Sequence, residues 1–494
     1  MISDSLPGTD AAGLELEFKW RLTPAGLRVL RSTGHLAGRP RIRHMVATYY
    51  DTPDALLWRN RVALRVRREG RRWIQTLKGG GMALGGLQLR RESNVLVPAG
   101  RLALDQIPSA HDPAGLFRDP AVRERLMPVF STDFHRESRI LTLSDGAQVE
   151  LALDRGEIRA GRRRMAIQEI ELELTEGTID DLLTFADDLR ETVRLVTETR
   201  SKAERGYLLS GLVHAGPVRA EHIHLSPRLT LPQALCTIAG EAVAQIQANT
   251  PGVLAGKDPE YLHQWRVGLR RLRSLLRLGR DAGYPELALY LRHLRPLAEA
   301  SGDVRDWDVF LGAVTGPEAQ RAAEARHQAH RRLSRLLRAK DYDRDMLALI
   351  ARLIALTRQS SGRPLTVAVR KLLRRQLAAV LRHAGQPAWS PVDRLHRLRI
   401  RVKRLRYTLE FFRDFFEAAH SRPLHEALQR LQDILGDMHD LSNACKKDRV
   451  LEDGPSGTRR RARWQRRLKL ELRPALRDTW RRFRRIDTDW MHDG

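Results

Sequence analysis

The sequence predicts an α+β chain of two modules: an antiparallel β-module with a few helices, followed by an all-α duplicated helical bundle. Three observations carry that reading. Short segments of the first half alternate apolar and charged residues with period two. A His/Arg-rich helical pattern occurs twice in the second half at a fixed offset. The charge also divides unevenly, with net +5 through Ala220 and net +22 from Glu221 onward, out of +27 for all 494 residues. Such asymmetry points to two modules with different partners.

The hydrophobic share of 42% is enough to bury sizeable cores and excludes a wholly disordered basic tail. Two cysteines, Cys236 and Cys445, cannot build a disulfide framework or a multi-cysteine zinc site. No apolar run approaches a membrane span, and Met1-Ile2-Ser3-Asp4 opens without a secretory signal, so the expected location is cytoplasmic with an anionic partner. Only ten of the 87 basic residues are lysine, an arginine bias that a GC-rich genome also produces. Position therefore has to carry the argument.

The β-module begins at Leu14-Glu-Leu-Glu-Phe-Lys-Trp20, where Leu14, Leu16, Phe18 and Trp20 share one face and Glu15, Glu17 and Lys19 the other. The pattern recurs at 62–67, where Arg65 and Arg67 oppose the valines and Leu64, and at 149–154, which carries Glu150 and Asp154. At 169–174, Glu169, Glu171 and Glu173 oppose Ile170, Leu172 and Leu174. Segments 72–78 and 87–97 read as further strands bearing Lys78, Arg90 and Glu92, and helices follow Pro24 and Gly177. A solvated face is the ordinary reading of such alternation. Here the charges have both signs, with carboxylates on the outer strands of the sequence and Arg/Lys on the middle ones. Closing the sheet with that face inward gives a tunnel with a carboxylate cluster for a hard divalent cation and a basic cluster for phosphate oxygens. Gly79-Gly80-Gly81 lacks the Lys-Ser/Thr of a phosphate-binding loop and reads as a flexible turn.

Glu15-x-Glu17-x-Lys19 resembles the ExExK signature of the CYTH domain, the triphosphate tunnel metalloenzyme family. Tyr49-Tyr50-Asp51-Thr52-Pro53, Arg65-x-Arg67, Lys78, Arg90-x-Glu92, Asp154, Glu169-x-Glu171 and Ser201-Lys202 follow in the family's order. Phe130 to Arg136 resembles its bacterial inorganic triphosphatase branch. The resemblance covers about Gly13 to Leu212. It implies an eight-stranded antiparallel barrel around a tunnel that hydrolyses a triphosphate with Mg²⁺ or Mn²⁺. It implies Glu15, Glu17, Glu169 and Glu171 as metal ligands, and Lys19, Arg65, Arg67, Lys78, Arg90, Arg136 and Lys202 as phosphate ligands. Glu15, Glu17, Lys19 and Asp154 are the implied catalytic set. Glu173 shares the face of Glu171, so which pair of the three glutamates binds metal stays open. Asp154 is open among metal ligand, lysine partner and water-orienting base. Thiamine triphosphate hydrolysis and ATP cyclisation also occur in the family; the absence of a base-recognition motif favours the inorganic substrate.

The stretch Gly211 to Pro232 holds glycines and prolines without periodicity and reads as the seam. The expected organisation is a tunnel domain at 1–212, a linker at 213–228 and a helical domain at 229–494, with repeats of about 229–360 and 361–494. His263-Gln-Trp-Arg266-Val-Gly-Leu-Arg270-Arg271-Leu-Arg273 matches His396-Arg-Leu-Arg399-Ile-Arg-Val-Lys403-Arg404-Leu-Arg406 with identical spacing. Gly302-Asp303-Val304-Arg305-Asp306 matches Gly436-Asp437-Met438-His439-Asp440. On a helix His263, Arg266, Arg270, Arg273 and Arg277 share one stripe, with Leu269, Leu272, Leu275 and Leu276 opposite. His396, Arg399, Lys403 and Arg406 repeat the stripe. Like charges one turn apart repel, so the stripe costs stability unless anions neutralise it.

These motifs resemble the CHAD domain, over about Leu229 to Arg485. The resemblance implies two pseudo-symmetric helical bundles that bind inorganic polyphosphate through His263, Arg266, Arg270, Arg273, His396, Arg399, Lys403 and Arg406. Association with polyphosphate granules would follow. A polyphosphate-tethered scaffold without enzymatic activity is the competing reading. Nucleic acid is disfavoured because only Trp265 and Tyr407 lie near the stripe to stack on bases.

Overall fold

The computed structural model describes residues 14–36, 38–84, 87–107, 113–144, 146–198, 200–357, 364–383, 392–450 and 455–491. The side chains of Glu15 and Arg90 lie outside the described set. The chain divides into two compact units: Ile2–Pro217 with Asp343–Arg358, and Val218–Tyr342 with Gln359–Gly494.

The first unit is built on nine strands: β1 (Leu14–Leu22), β2 (Arg41–Asp51), β3 (Val62–Glu69), β4 (Arg72–Leu84), β5 (Leu87–Leu96), β6 (Met127–Thr142), β7 (Gln148–Ala160), β8 (Arg163–Glu176) and β9 (Leu195–Thr197). The helices are α1 (Pro24–Ser32), α2 (Leu56–Arg59), α3 (Pro120–Glu124), α4 (Ile179–Thr192) and α5 (Lys202–Ser210). The sheet order is β5-β4-β3-β2-β6-β7-β8-β1-β9, and β5 pairs with β1, which closes the first eight strands into a ring. All pairs are antiparallel. The expected eight-stranded barrel is present, with β9 added beside the end of β1, where Trp20 faces Thr197. Three residues are too few to show an alternation, so β9 had no signature. Gly79 to Gly81 correct the expected turn: they lie inside β4, at a register shift against β5. The glycines serve a bulge there.

Alternation sets the faces. Phe18, Trp20, Leu151, Leu153, Ile170 and Leu172 are buried on the outer side, where α1 packs on β1 and α4 on β8. Leu182, Ala186 and Leu189 of α4 are fully buried. The opposite alternate residues, charged, point into the barrel. A charged interior of this kind has to be paired or hydrated.

α5 seals part of that interior. Ser201 caps its first turn, accepting from Glu204 N at 3.1 Å, and Gly211 ends it with φ +79°. The helix packs on β6, β7 and β8. Gly206 permits this approach, because a Cβ there would fall 2.1 Å from the Phe130 ring. Gly206→Ala is expected to cost about 1–3 kcal/mol from overpacking, read as a lower denaturant midpoint.

The second unit is helical: α6 (Leu231–Ala255), α7 (Pro259–Ala282), α8 (Leu287–Leu311), α9 (Gly316–Leu337), and, after α10 (Lys340–Thr357), α11 (Leu365–His383), α12 (Val392–Phe411), α13 (Ala418–Val450), α14 (Pro455–Arg467) and α15 (Arg473–Phe483). Most of α10 groups with the barrel unit, where Arg190 of α4 pairs with Asp343 at 3.6 Å. Within the helical unit, Leu269, Leu272, Leu275 and Leu276 of α7 are buried, as the periodicity requires. α7 packs against α12 and α8 against α13, so the corresponding helices of the two repeats meet. In the terminal helices Leu472, Trp480 and Phe483 are buried. No described helix is long and apolar enough to cross a membrane.

Candidate active site and anion cavity

Inside the barrel a cavity of about 260 Å³ brings together Glu17 and Lys19 of β1, Arg65 and Arg67 of β3, Lys78 of β4, Arg136 of β6, Glu171 of β8 and Lys202 of α5. All were expected there. Glu150, Glu173, Arg43 and Glu69 complete the charged wall.

The floor of the cavity is an ion network. Lys202 Nζ lies 2.7 Å from Asp154 Oδ2, 2.7 Å from Glu171 Oε1 and 3.0 Å from Glu169 Oε2. Arg136 donates from Nε to Asp154 Oδ1 at 2.8 Å and from Nη2 to Oδ2 at 2.7 Å, and also pairs with Glu171. Arg205 pairs with Glu169. Lys19 Nζ lies 3.2 Å from Glu17 and 3.1 Å from Glu171. Four cations thus meet four carboxylates: Lys19, Arg136, Lys202 and Arg205 against Glu17, Asp154, Glu169 and Glu171.

Burial disfavours each charge, yet the partners outweigh it. Burial alone would lower the Lys202 ammonium, but Asp154, Glu169 and Glu171 hold it well above the ordinary lysine range. The same balance, through Glu17 and Glu171, raises Lys19. Burial would raise the Glu171 carboxyl, but Lys19, Lys202 and Arg136 hold it well below the usual range.

The three β8 glutamates separate. Glu171 and Glu173 open on the cavity, whereas Glu169 is 1% exposed and committed to Lys202 and Arg205. Asp154 is fully buried with both oxygens paired, which makes it a partner of Lys202 and Arg136 in this arrangement. Sequence reasoning missed Arg205; its signal was the three-residue spacing from Lys202, which puts both on one helix face. It also missed Glu69, which holds Arg67 Nη2 at 2.8 Å and continues the alternation of Arg65 and Arg67. Arg65 donates to Tyr49 Oη at 3.2 Å.

Oxygen donors suited to a hard cation are present. Oxygens of Asp154, Glu169 and Glu171 lie within 4.8 Å of one another. Glu17 Oε1 is buried with the Lys19 ammonium 3.2 Å away. A carboxylate-only set of this kind suits a hard divalent cation rather than a soft metal.

The helical unit holds a second cavity of about 630 Å³ where the two repeats meet. His263, Arg266, Arg270 and Arg273 of α7 and His396, Arg399 and Lys403 of α12 line it, seven of the eight residues expected. Arg406 does not. It donates to Gln432 Oε1 at 3.0 Å and to Glu410 Oε2 at 3.0 Å, above the Tyr407 ring. Helices α8 and α13 supply Arg295, Glu299, Arg305, Asp306, His439 and Asp440. The repeated Gly-Asp-x-x-Asp motif was visible in the sequence, but its place in the wall was not.

Seven Arg/Lys side chains thus face three carboxylates across this cavity. Burial, together with Arg399, Arg270 and Arg266, pushes the Lys403 ammonium down to about 6 against the opposing pull of Asp440. Burial and Arg270 bring Arg266 down to about 10. Arg266 donates to Ser301 Oγ at 3.0 Å. Trp265 is fully buried, its Nε1 donating to Thr250 Oγ1 at 3.2 Å, and Tyr407 is buried as well, so neither offers a stacking face.

Residues 13–207 match the CYTH domain family, and residues 237–446 match the CHAD domain family. The chain carries a CYTH domain followed by a CHAD domain. Its CYTH region resembles the inorganic triphosphatase of Haemophilus influenzae, with 36% identity over 163 residues, 33% of this chain and 45% of that protein. The match spans less than half of that relative's length. An uncharacterized protein of Mycobacterium tuberculosis is 29% identical over 437 residues, 80% of this chain and 79% of the relative. The crystal structure of the CHAD domain from Ricinus communis matches with a TM-score of 0.50 at 26% identity, covering 54% of this chain and 96% of that domain. The CYTH and CHAD assignments fall on the barrel and on the duplicated helices respectively.

Proposed function

We propose that the CYTH domain hydrolyses inorganic triphosphate to pyrophosphate and phosphate with Mg²⁺ or Mn²⁺, and that the CHAD domain binds inorganic polyphosphate. The observation that carries the first part is the cavity inside the closed strand ring, lined by carboxylates and by Arg/Lys side chains. Resemblance to a triphosphatase over the same residues supports it.

Glu17, Glu171 and Glu173 would hold the metal, with Glu15 as a further ligand, because they open on the cavity and Glu169, buried against Lys202 and Arg205, does not line it. A Mg²⁺ or Mn²⁺ held by these carboxylates would neutralise phosphoryl oxygens and lower the pKa of a bound water. Arg65, Arg67, Lys78 and Arg136, with Arg90, grip the remaining oxygens, guanidinium forks matching phosphate geometry. Lys19 and Lys202 stay charged at neutral pH because their carboxylate neighbours hold their pKa values up. They can therefore stabilise negative charge developing in the transition state. Asp154 and Glu169 keep Lys202 and Arg136 in place. The described lining is dominated by charged side chains suited to phosphate oxygens, which favours tripolyphosphate over ATP or thiamine triphosphate.

Phosphate release from tripolyphosphate, ATP and thiamine triphosphate, with and without Mg²⁺ or Mn²⁺, tests this. Tripolyphosphate should give the highest kcat/KM, and Glu17→Gln should lower it by at least about a hundredfold. Absence of metal-dependent release from all three sinks the enzyme reading and leaves the scaffold.

The CHAD reading rests on the excess of cations in the second cavity and on the buried state of Trp265 and Tyr407, which argues against base stacking. Polyphosphate should bind with a steep salt dependence. Double-stranded DNA competing equally at matched charge refutes selective recognition.

A further inference from the structure

The two repeats are alike at the centre of the CHAD cavity and unlike at its ends. Four residues of α7 and their counterparts on α12 carry the stripe. Three pairs, His263 with His396, Arg266 with Arg399 and Arg270 with Lys403, face the shared cavity from both sides. The fourth pair splits: Arg273 lines the cavity and Arg406 does not.

The cause lies in neighbours that the duplication has not preserved. One turn beyond Arg273 stands Arg277; one turn beyond Arg406, at the same spacing, stands Glu410. Glu410 captures Arg406 at 3.0 Å. In the motif register, Arg295 and Ala298 of α8 correspond to Gln429 and Gln432 of α13. Gln432 accepts the second hydrogen bond from Arg406, at 3.0 Å. The first repeat therefore ends in three arginines, tempered by Glu299, whose carboxylate lies 2.7 Å from Arg295 Nε. Arg273 Nε is buried without a hydrogen bond. Arg277 donates to the Arg273 carbonyl at 3.4 Å. The equivalent end of the second repeat is neutralised from within.

We propose that the anion cavity is one-armed. It continues over the first repeat through Arg273 and Arg295, and is closed over the second by Glu410 and Gln432, so a polyphosphate chain longer than the shared centre leaves over the first repeat alone. The inference rests on the reading of the cavity as a polyphosphate site. It adds a subsite at Arg273 and a direction to the bound chain. Crowded cations at Arg273 and Arg277 are a liability without an anion and become favourable when one covers them. Arg406, already satisfied, has nothing to gain.

The test is a binding titration of the full chain in metal-free buffer with two probes, long-chain polyphosphate and tetrapolyphosphate, over a range of salt. Arg273→Gln should weaken long-chain binding by about tenfold, the loss of one charge-assisted contact. It should flatten the salt slope by about one and leave tetrapolyphosphate within about twofold. Arg406→Gln should leave both probes within about twofold. Equal losses from the two variants, or an equal loss on both probes, overturn the inference. Wild-type protein that binds neither probe overturns the polyphosphate reading and this inference together. Should Arg273→Gln melt early, Glu410→Arg asks the same question in the other direction. It frees Arg406 and builds the missing arm, so tighter long-chain binding with a steeper salt slope supports the proposal, and unchanged binding refutes it.

Discussion

Lys202→Met should destabilise the CYTH barrel by about 3–5 kcal/mol, the range for removing one partner from a buried ionic set. The ammonium touches three carboxylates at 3.0 Å or less, two of them essentially inaccessible to water. With it in place the floor balances four positive against four negative groups. Without it Glu17, Asp154, Glu169 and Glu171 share Arg136, Arg205 and Lys19, and one negative charge is left over. The leftover charge, rather than the lost packing, dominates. Hence Lys202→Met combined with Glu169→Gln should recover much of the loss. A double-mutant cycle from urea unfolding should give a coupling of about 2 kcal/mol or more. Additive losses would show that the network does not act as a unit. Hydrolysis of tripolyphosphate should fall with Lys202→Met even below its unfolding midpoint, because the same ammonium sits on the cavity wall.

Polyphosphate affinity should fall as pH rises from about 6 to about 9. The Lys403 ammonium is pushed down to about 6, first by burial and then by Arg399 on its own helix and Arg270 and Arg266 on α7, with Asp440 of α13 opposing. The ligand-free cavity therefore holds this lysine mostly neutral above pH 6. A phosphate anion among the same groups raises its pKa, so binding takes up a proton across that window. By linkage the affinity weakens with rising pH, by up to about one log unit per pH unit from this group. His263 acts in the same direction at the lower end. Burial, with Arg270, Arg305 and Arg266 nearby and only Glu260 opposing, lowers its pKa. His396 and His439 also face the cavity, with Asp306 and Glu299 as the remaining carboxylates.

The sign for stability is opposite. A lysine depressed in the folded state opposes folding at pH values below its unfolded pKa and ceases to do so as pH rises past that value. Lys403→Met should therefore raise the unfolding midpoint of the ligand-free protein at pH 7 while weakening polyphosphate binding and flattening its pH profile. Titrations at several pH values, in buffers of different protonation enthalpy, measure the proton uptake directly. A flat profile in the wild type, or an unchanged slope in Lys403→Met, contradicts the account.

Much of both sites was legible because periodicity assigns faces. Alternation put Glu17, Lys19, Arg65, Arg67 and Glu171 on the charged side of their strands, the strand reading of 72–78 added Lys78 and the CYTH resemblance added Arg136, and all seven line the barrel cavity. The helical stripe did the same for seven of eight residues in the CHAD cavity. What periodicity cannot do is choose neighbours. Glu169 lies on the correct face of β8, but α5 brings Arg205 to it and takes it out of the wall. Arg406 lies on the correct face of α12, but Glu410, one turn along, and Gln432, from another helix, divert it. Gly79 to Gly81 were misread because a glycine run is the same in a turn and in a bulge; only pairing with β5 distinguishes them.

The closure of the barrel also fixes the order in which a growing chain can complete it. β1 precedes the other described strands, yet its partners lie at Leu87–Arg91, Glu169–Glu173 and Leu195–Thr197. At roughly 5–20 residues per second, translation leaves β1 without β8 for several seconds or more. Contacts of such sequence separation are slow to form even afterwards. When β7 and β8 do arrive they bring Asp154, Glu169 and Glu171, whose buried countercharges Lys202 and Arg205 belong to a helix not yet synthesised. Ring closure and the docking of α5 are thus tied together: Arg136 of β6 and Lys19 of β1 already meet Asp154 and Glu171, but Glu169 stays hydrated until the chain's own following helix supplies Lys202 and Arg205.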